Sequence, residues 1–309
     1  MDIIQVITKE LNVEKWQVEA AVKLIDEGCT IPFISRYRKE ATGSLNDEQL
    51  RTLHERLTYL RNLEEKKNQV LGSIEEQGKL TAELKKQILD AQTLVVVEDL
   101  YRPFRPKRRT RAIIAKEKGL EPLANIIMLQ MTDKPIEEEA QDFVSEEKGV
   151  ETVADAINGA KDIIAEHISD EADYRIRIRD LTVKHGRIVS AAKDPETESV
   201  YEMYYEFEEP IKKLAGHRVL ALNRGEKEKI LTVKVNAPEE EAMGWLQKQV
   251  ITKENPITKP ILREVVEDSY KRLIAPAIER EIRSDLTEKA EDGAIHVLSL
   301  IHISEPTRQ

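Results

Sequence analysis

Between Arg102 and Lys118 the chain reads RPFRPKRRTRAIIAKEK, eight cationic side chains against the single acid Glu117. Ammonium and guanidinium groups at this density attract polyanions, and the guanidinium fork matches phosphate oxygens without reading base sequence. Pro103 and Pro106 hold the first part of the run extended, so its side chains fan out instead of lining one helix. The candidate phosphate contacts are Arg102, Arg105, Lys107, Arg108, Arg109 and Arg111. Tyr101 and Phe104 are interleaved with them, and two readings of these rings stand: they stack on unpaired bases, or they anchor a core. The cations also have alternatives, namely ion pairs with acidic helices of the same protein or contact with a protein partner. If about four of them neutralise phosphates, log K falls against log salt with a slope of roughly −3 to −4.

Two further clusters have double readings. The stretch SRYRKEATG carries Arg36, Arg38 and Lys39; on a helix, Ser35, Arg36 and Lys39 lie on a polar side opposite an apolar face predicted to hold Phe33, Ile34 and Tyr37. They either end a helix that touches a nucleic-acid groove or form a solvated face with Arg36 or Arg38 paired to Glu40 or Asp47. In HRVLALNRGEKEK, Arg218, Arg224 and Lys227 are phosphate candidates and Gly225 permits a left-handed turn. Val219, Leu220 and Leu222 make half of that stretch core, which favours a junction between domains. His217 there reads as a helix cap or as the partner of a buried carbonyl.

Enzymatic signatures are missing. His54, His167, His185, His217 and His296 stand apart, with no second ligand at zinc spacing. There is no GxxxxGK[ST] phosphate loop and no GxSxG elbow. The runs Glu137 to Glu139 and Glu239 to Glu241 read as helix starts favoured by the macrodipole. The expectation is a non-catalytic protein with no cofactor and no metal.

The elements that must carry these groups follow from length and pattern. The chain has 309 residues, 40% hydrophobic and 34% charged, with 12 glycines, 12 prolines and a net charge of −10. This suggests about two domains of helix-rich character. An acidic chain binds nucleic acid only through a local basic patch. Cys29 is the only cysteine, so no intrachain disulfide forms and a reducing cytoplasm is the expected home. The segment MDIIQVITKELN lacks the features of a secretory leader, and no apolar run reaches membrane-spanning length.

A helix-turn-helix-like unit is predicted over residues 1–63. Asn12 caps a helix with Val18, Ala21, Val22 and Ile25 inward, and Gly28 ends it. Pro32 opens the next helix and Gly43 stops it. Asn46 and Gln49 form a capping box for a long helix with Leu50, Leu53, Leu57, Leu60 and Leu63 inward, ending near Gly78. Glu64 and Lys67 occupy positions where a heptad wants apolar groups, so intramolecular packing is favoured over a coiled coil. A helical middle region with the basic loop follows over residues 64–200. A helical linker region spans 201–297, where the prolines of 255–291 mark first turns or kinks. The stretch YRIRIRDL from Tyr174 fits a strand or a helix. The segment after Gly186 and the run Ile230 to Val235 are the strand candidates. The fold class expected is mainly α, with room for a minor β component.

Three stretches resemble the Tex family of bacterial transcription accessory proteins: TIPFISRYRKEATG (30–43), EDLYRPFRPKRRTRAIIAKEKGLEPLA (98–124) and HRVLALNRGEKE (217–228). Ala215 and Gly216 depart from the Pro-Ser more usual in the family. The resemblance covers residues 1–297. It implies a mainly helical cytoplasmic protein that acts on transcription and binds RNA or DNA, RNA especially. It also implies that a full-length member continues into an RNase-H-like domain, helix-hairpin-helix elements and an OB-type RNA-binding domain. The alternative is a helical scaffold that positions those domains, or docks on RNA polymerase or the ribosome, without touching nucleic acid here. The last segment, LSLIHISEPTRQ (298–309), breaks the charged style of the chain and resembles a translated sequencing-library adapter, so it is set apart from the fold.

Overall fold

The structure is a computed structural model that describes residues 2–106 and 108–304, the side chains of 296–304 excepted. It is mainly helical, and its contacts gather into two compact units, residues 1–105 and 106–309.

In the first unit α1 (Ile3–Leu11), α2 (Lys15–Asp26) and α3 (Ile31–Tyr37) pack on the spine α4 (Asp47–Glu76). At 30 residues and 1.5 Å rise per residue, α4 is about 45 Å long. Asn46 and Gln49 form the predicted capping box, and the helix stops just before Gly78, whose φ of +66° suits glycine. Leu50, Leu53, Leu57, Leu60, Leu63, Val70 and Ile74 form the buried stripe. Lys67 lies in that stripe and is 1% exposed. Its Nζ donates to the Leu89 carbonyl at 2.8 Å and lies 3.2 Å from Glu64 Oε1. The break in the heptad is thus an internal polar tie, which holds the following helix α5 (Ala82–Asp90) against the spine. The unit closes with α6 (Leu94–Tyr101) and a 3-10 turn, Arg102–Phe104.

Two local expectations are corrected here. Asn12 ends α1 in the left-handed conformation (φ +51°), and Glu14 with Gln17 caps α2 instead. Val18 and Ala21 are buried as expected, while Val22 and Ile25 are half-buried. Helix α3 ends at Tyr37, well before Gly43, because the chain turns at Arg38 and folds back with Ser44 N donating to Lys39 O at 2.7 Å.

The second unit begins with α7 (Arg111–Glu117), α8 (Glu121–Leu129) and α9 (Ile136–Gln141), which surround α10 (Val153–Asp170). Helix α11 (Ala172–His185) resolves the ambiguity of YRIRIRDL in favour of helix. A three-stranded antiparallel sheet follows, in the order β2-β1-β3, from β1 (Arg187–Ala192), β2 (Glu206–Pro210) and β3 (Leu231–Asn236). In its register Ile188 faces Glu209 on one side and Val235 on the other. Strand β2 was not expected from the sequence. Helix α12 (Gly216–Lys227) joins β2 to β3, and α13 (Glu239–Val250) and α14 (Thr258–Asp268) follow. A π-helical stretch, Ser269–Ile274, leads into α15 (Ala275–Ser304). Pro276, which cannot donate to the helix ladder, falls in the first turn of α15 just after this π-helical stretch. Glu137 to Glu139 and Glu239 to Glu241 do occupy the first turns of α9 and α13.

Of the segment 298–309, residues 298–304 continue the backbone of α15; their side chains and residues 305–309 lie outside the described residues.

Candidate nucleic-acid interface

The basic run is divided between the two units, and each part is positioned by its own neighbours. In the first unit the 3-10 turn directs Tyr101 and Phe104 onto the core around α4 and α6. The Tyr101 hydroxyl is 3.0 Å from Ser73 Oγ, and Gln77 Nε2 donates to the Phe104 carbonyl at 3.0 Å. Of the two readings of these rings, the structure favours the second: they anchor the core. Arg102 is half-buried at the start of the turn. Arg105 is exposed, with Nη1 3.6 Å from Glu98 Oε2, and Glu98 also pairs with Lys66 at 2.6 Å.

In the second unit Arg108 is exposed and has no ion pair among the described residues. Arg109 Nη2 lies 2.9 Å from Glu117 Oε2, with the guanidinium side chain 70% exposed. Thr110 caps α7 by accepting from Ile113 N at 3.1 Å, which places Arg111 at the first helical position, exposed. A cation there opposes the helix dipole. Burial pushes the Asp162 carboxyl up, and the guanidiniums of Arg272 and Arg111 act against that rise. Lys107 lies outside the described residues. The pairs of Arg105 and Arg109 are surface pairs, each worth about 0–1 kcal/mol, so a phosphate oxygen can replace either carboxylate at little cost.

The stretch around α3 differs from expectation in the opposite direction. Ile34 is fully buried and Ser35 nearly so, the latter donating to Pro32 O at 3.2 Å. Phe33 and Tyr37, predicted to be buried beside Ile34, are 39% and 71% exposed. At about 100° per residue they share one side of the helix, while Ile34 and Ser35 straddle the other. Their ring centroids are 5.4 Å apart, and the Arg38 guanidinium stands 5.8 Å from the Phe33 centroid. Asp47 pairs with Arg51 at 2.6 Å and not with Arg36 or Arg38. Arg36, Arg38 and Lys39 are exposed and have no carboxylate partner among the described residues.

In the third cluster Arg224 and Lys227 are exposed and Arg218 is half-buried. Arg218 pairs with Glu209 at 2.6 Å and Arg224 with Glu228 at 2.9 Å. Gly225 lies within α12, not in a left-handed turn; the positive φ falls on Lys229. A Cβ at Gly225 would come 2.6 Å from Leu231 Cδ1, so this glycine permits close helix-to-strand packing. His217 is exposed in the first turn of α12. Arg283 on α15 bonds Glu226 and, at 3.2 Å, the Val233 carbonyl, which ties α12, β3 and α15 together.

Among the described residues no group of three or more His, Cys, Asp or Glu side chains is arranged to hold a metal ion. No described helix is long and apolar enough to cross a membrane. What fold and surface define is a helical framework with exposed arginines at Arg36, Arg38 and Arg105 in its first unit and at Arg108, Arg109 and Arg111 in its second. Residues 1–75 match the Tex-like protein N-terminal domain and residues 131–298 the Tex central region-like family. The chain belongs to the Tex family. It is 50% identical over 298 residues to YdcI of Bacillus subtilis, covering 96% of this chain and 41% of that protein. It is 37% identical over 307 residues to the transcriptional accessory protein Tex of Neisseria gonorrhoeae, covering 97% and 40%. It is 32% identical over 310 residues to the human S1 RNA-binding domain-containing protein 1, covering 95% and 31%. The chain thus spans well under half the length of these curated relatives.

Proposed function

We propose that this chain is a non-catalytic, nucleic-acid-associated part of a transcription accessory protein acting in the cytoplasm, and that Arg102, Arg105, Lys107, Arg108, Arg109 and Arg111 contact the phosphate backbone of RNA without reading its sequence. The observation that carries this reading is exposure. Arg105, Arg108, Arg109 and Arg111 stand at the surface of an acidic protein, and where they pair they do so with exposed carboxylates that screen weakly. The names of the gonococcal and human relatives supply the transcriptional and RNA context. RNA polymerase and the ribosome are the protein partners to test beside it.

The experiment is a salt titration of the binding of a 20-nucleotide RNA by the intact chain and by the triple variant K107E/R108E/R109E. The wild type should show a log-log slope of roughly −3 to −4, and the variant a weaker affinity with a shallower slope. Unchanged affinity and slope would reject the contact and leave the run a structural element of a scaffold.

A further inference from the structure

We infer that the surface of α3 and the turn after it form a stacking platform for the unpaired bases of a single-stranded nucleic acid, a second binding site independent of the cationic run. Six residues make it: Trp16, Phe33, Arg36, Tyr37, Arg38 and Lys39.

The geometry is held from beneath. Ile34 anchors α3 in the core. The buried Thr42 hydroxyl donates to the carbonyls of Arg38 and Lys39 at 3.3 and 3.4 Å. Gln17 Nε2 donates to Gly43 O at 2.9 Å. Trp16, 52% exposed, lies over Gly43 so closely that a Cβ there would sit 2.5 Å from Trp16 Cη2. Only glycine fits this position, where φ is +60°. Phe33 and Tyr37 on α3 and Trp16 on α2 are therefore presented to solvent beside a turn that is itself tied down.

Exposed rings of this size cost hydration free energy unless something covers them. The charge around them identifies the occupant. Arg36, Arg38 and Lys39 have no carboxylate partner among the described residues and share this short stretch of chain with Phe33 and Tyr37, and Arg38 already stands over the Phe33 ring. A polyanion carrying flat apolar groups satisfies both features, with bases on the rings and phosphates on the cations. A duplex satisfies only the second, because its bases are already stacked. An acidic protein would neutralise the cations but would not need exposed aromatic rings beside them.

The test measures anisotropy of a labelled 12-nucleotide oligo(U) and oligo(dT) with the intact chain. Base stacking is worth about 1–3 kcal/mol per base, so F33A/Y37A should bind oligo(U) about tenfold more weakly or worse, with an unchanged thermal midpoint. Y37A alone, at a residue so exposed that it cannot disturb the core, should move in the same direction, and Tyr37→Phe should restore affinity. R36E/K39E should make the single-strand salt slope shallower by about 1.4. In the W245F background, where Trp16 is the remaining tryptophan, oligomer should quench its emission. Equal affinity of wild type and Y37A with no quenching would overturn the proposal, and so would equal affinity for a duplex of the same length. A loss in K107E/R108E/R109E with none in F33A/Y37A would leave the phosphate-contact reading standing and remove this one; the reverse result separates them the other way. Comparable effects with oligo(U) and oligo(dT) would show that the bases, not the 2′-hydroxyls, are held.

Discussion

The run from Arg102 to Arg111 and helix α11 are both dense in arginine, and they use it differently. In α11, Arg175 is 0% exposed and its Nη2 lies 2.5 Å from Glu281 Oε1. Arg179, one turn later, reaches Glu281 Oε2 at 2.7 Å. Arg177, between them, points to solvent. One carboxylate on α15 therefore holds two guanidiniums from one face of α11, and the helix is locked to its neighbour. In the run, by contrast, Arg105 and Arg109 meet only exposed acids, and Arg108 meets none among the described residues. Density of positive charge thus says little about function. Burial of the guanidinium and the fixity of its partner decide whether the charge holds the fold or remains available to a ligand.

The largest expected effect tests the structural side of this contrast. Glu281→Ala removes the carboxylate shared by Arg175 and Arg179. Because Glu281 is itself partly exposed, the loss should lie near the lower end of the ~3–5 kcal/mol seen when buried pairs are broken, read as a shift in urea midpoint. Arg177→Ala, on the solvent side of the same helix, should stay within about 0.5 kcal/mol. Equal effects of the two would erase the distinction drawn here. A smaller effect is expected in the run: R105A/R109A should change stability by less than about 1 kcal/mol, while RNA affinity falls and its salt slope becomes shallower. A stability loss as large as that of Glu281→Ala would place those arginines among the structural ones.

The smallest effect uses pH. The hydrogen bond from Arg283 holds the Glu226 carboxyl below its ordinary value of 4.5, against a partial burial that raises it. A depressed folded value means that the ion pair stabilises above the unfolded value and that this stability is lost as pH falls through the folded one. Glu226→Gln should therefore flatten the acid limb of the stability profile below about pH 4.5 and leave the neutral region of the curve parallel to the wild type.

Much of the first unit was legible in the residues. The Asn46 and Gln49 capping box and the leucine stripe of α4 are local signals, complete within a few residues of chain. So is the stop at Gly78. The start of α1 had its own signal in Asp2, whose side chain accepts from Gln5 N, but Asn12 reads equally well as a start or a stop. Strand β2, EFEEP, was not legible, because an acidic segment acquires strand character only by pairing with β1. The burial of the aromatic residues was not legible in the sequence, which leaves Tyr101 and Phe104 open between two readings and predicts Phe33 and Tyr37 inward. Tyr101 and Phe104 sit among arginines and yet are core, whereas Phe33 and Tyr37 sit beside Ile34 and yet are exposed. Helix α3 has only seven residues, with Ile34 buried and Ile31 half-buried against the core, and periodicity over so short a span cannot choose the inward face.

The sequence alone determined the helical class, the long spine and its caps, and the position of the cationic run, because each depends on groups within a turn or two of one another. Tertiary structure decided which arginines are neutralised and which rings reach solvent. Those outcomes depend on partners far along the chain, such as Glu281 for Arg175 and Gln17 for the turn at Gly43, and no local pattern encodes a distance across the fold.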